Sequence, residues 1–264
     1  MANRWQGAPE AADEGTSGRV EPSFSHRSRR VLTERDLPRF AGPTLFDRIA
    51  RTLCLAGCVP RKELYESWEV ARRARRRLRG GRVVDLACGH GLLAHLMLVL
   101  DDTSAEALAV DRRLPPSAAT TAEAMVQAWP RLRGRVRRIE ASLEDVPLAA
   151  GDLVVSAHAC GALTDLVLSR AVAASATVVV LPCCHDAARS DVGGLDGWLD
   201  AGLAIDVVRA ARLRAAGYSV RTQRIDPSIT PQNRLLFGVP PAECEASSGP
   251  SEVDALLSPG SSTR

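Results

Sequence analysis

Apolar positions change their rhythm along this chain, and the change divides it. Leu45, Phe46, Ile49, Leu53 and Leu55 recur at loosely helical spacing. After Pro60, the positions Leu64, Trp68, Ala71 and Leu78 recur at three-, four- and seven-residue steps, which predicts a second helix packed by one stripe. Gly80-Gly81 stops it. From 82 onward short β-branched runs alternate with longer apolar segments. The runs 82–87, 107–110, 136–141, 152–157 and 177–181 predict strands. The segments 92–100, 116–129, 163–173 and 203–216 predict helices, the first apolar nearly all round and therefore buried. Strands at 218–224 and 235–239 follow, joined by a proline-containing loop too short for a helix, so they should pair antiparallel. Strand–helix alternation of this kind predicts an α/β fold: a mostly parallel sheet covered by helices on both faces.

The two ends break the pattern. Residues 1–41 are poor in aliphatic side chains and read as a disordered arm, 42–81 as N-terminal helices packed on the domain, 82–240 as the α/β domain, and 241–264 as a disordered tail. Hydrophobic residues make up 45% of the 264, enough for a sizeable core. No stretch reaches the roughly 18 apolar residues of a membrane span, and the N-terminus has no secretory apolar run, so a cytoplasmic protein with no membrane partner is expected. Seven cysteines in such a chain argue for reduced thiols. Net charge is only +3. Arginines nevertheless crowd 72–82 and 131–138; with Lys62 the one lysine, an arginine bias and a solvated helix face compete with a nucleic-acid patch as the explanation. The pattern leaves the oligomeric state open.

The chemistry gathers at strand ends. The first strand leads through Asp85-Leu86-Ala87-Cys88-Gly89-His90-Gly91 straight into the buried helix. A Gly-x-Gly turn lets the backbone approach a ligand where a Cβ would clash. Asp111 stands 20 residues past Gly91, at the end of the second strand, where a carboxylate accepts from ribose hydroxyls. Asp85 ahead of the glycines would oppose a pyrophosphate and suits a cationic ligand.

Val-Val-Asp-Leu-Ala-Cys-Gly-His-Gly resembles the first motif of class I S-adenosylmethionine-dependent methyltransferases. The resemblance implies a Rossmann-like seven-stranded sheet, mostly parallel with one antiparallel strand, and makes 82–240 the methyltransferase domain. It implies S-adenosyl-L-methionine as cofactor, held by Asp85, Ala87, Cys88, Gly89, Gly91 and Asp111, with Ser142 and Leu143 after the third strand near adenine and Ser156 at the fourth strand's end.

A second constellation follows the fourth and fifth strands: His158-Ala159-Cys160-Gly161-Ala162-Leu163-Thr164-Asp165 and Pro182-Cys183-Cys184-His185-Asp186. With Thr230-Pro231-Gln232-Asn233-Arg234-Leu235, these resemble the methyltransferase-domain family that includes the eukaryotic tRNA acceptor-stem 2′-O-methyltransferases. That likeness spans about 60–240 and implies RNA as partner and a tRNA ribose 2′-hydroxyl as acceptor. A small molecule or a protein side chain is the alternative acceptor, and a non-catalytic cofactor-binding protein is the third reading.

His158 and His185 are the candidate bases, since imidazole titrates near neutrality. Asp186 is a candidate to orient His185 or to act as a base, and Thr164 and Asp165 are candidate caps of the following helix. Cys160, Cys183 and Cys184 read as packing or chemistry; adjacent Cys-Cys-His is poor spacing for a closed zinc site, and no metal is expected. His95 reads as a satisfied core residue, and Cys54 and Cys58 as helix packing. Lys62, Glu63, Glu66 and Glu69 lie on a helix that often covers the cofactor in such folds, with Lys62 and Glu66 the pair that would face the site or simply pair with each other. The glycine-rich segment 190–201 is a candidate lid.

Overall fold

A computed structural model describes residues 24–182 and 184–241. Helix α1 (Leu45–Ala56) starts at a reciprocal cap, Thr44 Oγ1 accepting from Asp47 N while Asp47 Oδ2 accepts from Thr44 N, and ends at Gly57 in the left-handed conformation. Helix α2 (Arg61–Arg75) follows Pro60. The alternating domain is β1 (Val83–Leu86), α3 (Leu92–Leu100), β2 (Ala107–Asp111), α4 (Ser117–Ala128), β3 (Val136–Glu140), β4 (Leu153–Ser156), α5 (Ala162–Ala173), β5 (Thr177–Val180), α6 (Ala201–Ala215), β6 (Ser219–Arg224) and β7 (Arg234–Val239).

Each predicted strand and helix is present, with ends displaced by one or two residues except in α2, which ends at Arg75, before Gly80-Gly81 is reached. The strands form one seven-stranded sheet in the order β3-β2-β1-β4-β5-β7-β6. β7 runs antiparallel to both β5 and β6, and the remaining pairs are parallel. This is the Rossmann-like arrangement expected from the strand pattern. The order reverses between β1 and β4, so their carboxyl ends frame the crevice where open α/β sheets bind ligands.

The period of two sorts the sheet into two cores. Val83, Ala107, Ala109, Val155 and Val179 pack with α2, α3 and α4, whereas Val84, Leu108, Val110, Val154, Val178 and Val180 pack with α5 and α6. Strand runs that are apolar at consecutive positions are thus satisfied, because both faces are covered.

Part of the segment expected to be a disordered arm is folded. Residues 1–23, like 242–264, lie outside the described residues, but 24–41 fold against the domain. Leu32 is fully buried and its N–H donates to Val59 O, a 3-10 turn spans Glu34–Phe40, and Phe24 packs edge-on against Phe40. His26, expected in a disordered arm, stacks on Tyr65 and pairs with Ser228. Composition averaged over the arm hid the few apolar anchors, Phe24, Leu32, Leu37 and Phe40, that hold it down. Among the described residues no helix is long and apolar enough to cross a membrane.

Candidate functional site

The turn after β1 is built from left-handed backbone. Gly89 and Gly91 have φ of +55° and +73°, and Ala87, with φ of +58°, adopts the same region despite its Cβ. An alanine held there costs free energy that surrounding contacts must offset, a feature that gathers at ligand sites. A Cβ on Gly91 would come 3.3 Å from Ala109 Cβ on β2, so the second glycine is also required by close packing. His95, buried in α3, donates from Nδ1 to Gly91 O at 2.7 Å. It is therefore a satisfied core residue that also braces the turn, and burial depresses its pKa to about 4.

Asp111 reaches back from β2: its Oδ2 accepts from Gly89 N at 2.9 Å and its Oδ1 from Arg113 N at 3.3 Å. Ala87, Asp111, Ser142 and Leu143 line one cavity of about 300 Å³, completed by Arg112, Glu144 and Leu163. Four residues singled out in the sequence thus share one wall. Asp85 lies beneath the turn, fully buried, with Oδ2 accepting from Ala94 N at 3.1 Å. Burial raises its pKa well above the usual carboxylate range, and the nearby Glu63 and Asp111 carboxylates raise it further. Cys88 is buried in the core, and its thiol donates to Gly89 O within the turn at 3.7 Å. Ser156 Oγ accepts from Ala159 N at 3.2 Å and shapes the next loop.

The two Cys/His loops meet, as the strand order required. Gly161 N donates to Cys184 O at 3.2 Å, and a Cβ on Gly161 would lie 3.7 Å from Asp186 Cβ. His158 sits over the glycine turn, its Cδ2 3.9 Å from where a Gly89 Cβ would stand, and its Nε2 is buried without a hydrogen-bond partner. His185 turns the other way, donating from Nε2 to Asp206 Oδ1 at 2.7 Å. Its orienting carboxylate is Asp206 of α6, not Asp186, whose Oδ1 instead accepts from Ala188 N at 3.0 Å. Asp206 also accepts from Arg234 Nε at 2.6 Å and pairs with Arg209 Nη1 at 3.4 Å. Arg209, buried, forks both oxygens of Asp165 at 2.9 Å and donates to Gly161 O at 2.9 Å. Neither Thr164 nor Asp165 caps α5, whose N-cap is Gly161; Thr164 Oγ1 donates to Ala159 O at 2.6 Å. Cys183 lies outside the described residues. Among the described residues no group of three or more His, Cys, Asp or Glu is placed to hold a metal.

Of the two readings for Lys62 and Glu66 on the helix over the turn, the structure shows the mutual pair, and the residue that reaches the turn is Glu63. Lys62 and Glu66 bind each other at 3.0 Å, while Glu63 reaches His90 of the turn, Oε2 accepting from Nδ1 at 2.7 Å. The sequence placed Glu63 on this helix without giving it a partner; what it meets is set by where α2 crosses the turn. Asp206 carried even less signal, being one polar position on a predicted helix, and Arg234 stood only within the Thr230–Leu235 motif with no partner assigned to it.

The arginine run at 72–82 is divided: most of it is paired internally, while Arg76, Arg77 and Arg79 are exposed. Arg72 and Arg73 bind Glu69, Arg75 is buried with Asp101, Arg79 lies near Asp101, and Arg82 forks Asp152. In the second run Arg131 and Arg135 donate to backbone carbonyls, while Arg133, Arg137 and Arg138 are exposed along the β3 edge.

Residues 62–191, just under half of the chain, match the family model of a methyltransferase domain, which supports a methyltransferase. No curated protein matches the chain. Among solved structures it is similar to an O-methyltransferase family protein from Burkholderia thailandensis (20% identity over 82% of this chain and 65% of that one, TM-score 0.47). The S-adenosylmethionine-dependent methyltransferase SibL aligns at 22% identity over 78% and 65% of the two chains, TM-score 0.47. A ribosomal protein L11 methylase from Lactobacillus delbrueckii subsp. bulgaricus aligns at 16% over 66% and 76%, TM-score 0.44. The chain thus spans about two thirds of the length of the first two, 65% in each.

Proposed function

We propose that the protein is an S-adenosylmethionine-dependent methyltransferase whose acceptor is an oxygen presented beside His158. The observation that carries this reading is the left-handed turn Ala87–Gly91 with Asp111 at its rim, bordering a cavity on the carboxyl side of the switch point. The residues fit the cofactor. Backbone without side chains lies where the ligand must come close, Asp111 stands where a ribose needs an acceptor, and acid without a matching set of cations lies where the positive end would rest. When bound, S-adenosylmethionine supplies a methyl group made electrophilic by its sulfonium.

The chain's own residues then have separate tasks. Asp111 and the wall formed by Ser142 and Leu143 hold the nucleoside. His158, with Nε2 buried and unengaged next to the turn, takes the acceptor's proton. His185 and Asp186 position the loop rather than touch the acceptor, His185 through Asp206 and Asp186 through the backbone of Ala188. The segment 190–201, which carries Trp198 at 88% exposure, covers the acceptor side.

The loop motifs favour a tRNA ribose 2′-hydroxyl as acceptor and RNA as partner. A small-molecule or protein acceptor is the second reading, favoured by the internal engagement of the 72–82 arginines, which removes much of the charge a polyanion would use. Transfer of tritiated methyl from S-adenosylmethionine into RNA, protein and metabolite fractions of a deletion strain tests both. Label in RNA supports the first, label only in another fraction the second, and label in none overturns the enzymatic reading. Replacing His158→Ala is expected to lower turnover by about 100-fold or more with cofactor affinity unchanged.

A further inference from the structure

Helix α2 brings to the glycine turn a carboxylate that the turn's own geometry does not use. Glu63 is 7% exposed. One oxygen, Oε2, is held by His90 Nδ1 at 2.7 Å; the other, Oε1, is buried with no hydrogen-bond partner. One helical turn on, fully buried Ser67 Oγ also lacks a partner. A buried acceptor left without a donor costs more than a satisfied one gains, so such an oxygen marks a place where a donor is missing.

The neighbouring basic groups do not supply that donor. Arg61 binds Asp36 at 3.1 Å and Lys62 binds Glu66 at 3.0 Å. Glu63 also shares its surroundings with the Asp85 and Asp111 carboxylates, so three acids converge on the turn and His90 is the basic group paired among them. The missing partner is therefore both cationic and a hydrogen-bond donor. A sulfonium meets the first condition only, because it has no N–H. A primary ammonium meets both, with three donors on one charge.

We propose that Glu63 Oε1 receives the α-ammonium of the cofactor's amino-acid end, with His90 holding the other oxygen so that the carboxylate is presented in one orientation. This rests on the cofactor reading above and adds a residue from outside the glycine motif that selects for the amino-acid end. Glu63 is then a determinant of ligand specificity, and His90 its positioning residue.

Calorimetric titration of the full chain with three ligands tests it: S-adenosylmethionine, its decarboxylated form, and 5′-methylthioadenosine, which lacks the amino-acid end. Glu63→Gln is expected to weaken the first two by about tenfold or more, the loss of a charge-assisted bond, and to leave 5′-methylthioadenosine within about twofold. Glu63→Asp, which keeps the charge one methylene back, should fall between. Equal weakening of all three ligands would make Glu63 merely structural and overturn the proposal, as would unchanged binding of all three. If the unsubstituted protein bound none of them, the cofactor reading itself would fail, a result distinct from either.

Discussion

Two charged clusters lie at the carboxyl edge of one sheet and are balanced in opposite ways. Around the glycine turn, Glu63, Asp85 and Asp111 meet one histidine, and an oxygen of Glu63 is left without a partner. Around the loops after β4 and β5, Asp165 and Asp206 meet Arg209, Arg234 and His185, and each of those acids is held by at least one guanidinium fork or nitrogen within 2.9 Å. The second cluster is closed with respect to its acids: each carboxylate is paired and the Gly161 loop is clamped to α6, and the buried atoms left without a partner there are nitrogens, His185 Nδ1 and Arg234 Nη2. The first is open, with more negative charge than its own side chains offset. An open cluster tolerates the cost of unpaired acid only if a ligand or a proton completes it. The contrast separates acids that are paired within the fold from acids left for the proposed ligand to meet, which residue type alone does not.

The largest expected effect breaks the closed cluster. Arg209→Leu leaves two carboxylates facing each other around a buried apolar side chain, and should cost about 3 kcal/mol in chemical denaturation. A cost below about 0.5 kcal/mol would place Arg209 with surface ion pairs and dissolve the contrast.

The next tests the open cluster through its proton. Burial and its acidic neighbours raise the Asp85 pKa, so a cationic ligand at the turn should pull it back down, and any proton Asp85 holds should be released on binding. Binding heats of S-adenosylmethionine should then differ between buffers of high and low ionisation enthalpy. Asp85→Asn should erase the difference; a difference that survives the substitution would assign the proton to another group.

The smallest effect sharpens the comparison. Hydrogen bonding to Glu63 raises the His90 pKa above its ordinary 6.5. A base whose native pKa is raised contributes its full stabilisation below the unfolded value and loses it as pH climbs through the native one. The wild type should therefore lose melting temperature relative to His90→Gln as pH rises from below 6.5 through the raised native value, by an amount worth no more than about 1 kcal/mol for this partly exposed pair. Parallel melting curves for the two across that range would show that the ring carries no charge-linked contact.

Much of this was legible along the chain. The spacing of apolar residues forecast each strand and helix, since period two and period 3.6 are imposed by backbone geometry before any packing occurs. The Gly-x-Gly turn, Asp85 and Asp111 were readable because backbone approach to a ligand demands glycine locally, and the strand order that follows from α/β alternation places the next acid beside it. The folding of 24–41 was not readable, because a handful of anchors does not shift an average composition. Likewise, the spacing forecast the Lys62–Glu66 pair but gave no partner to Glu63, and Asp186 was the candidate to orient His185 where the fold uses Asp206 instead.

The division has a physical cause. Local backbone demands are written into short runs of residues: where strands alternate, where a helix is buried on all sides, where only glycine fits, which acid ends which strand. Which acid meets which base depends on how α2 and α6 cross the sheet edge, and that crossing is decided by the packing of whole helices against both cores. Charges 27 residues apart (Glu63 and His90) or 44 apart (Asp165 and Arg209) become partners only once those helices are docked.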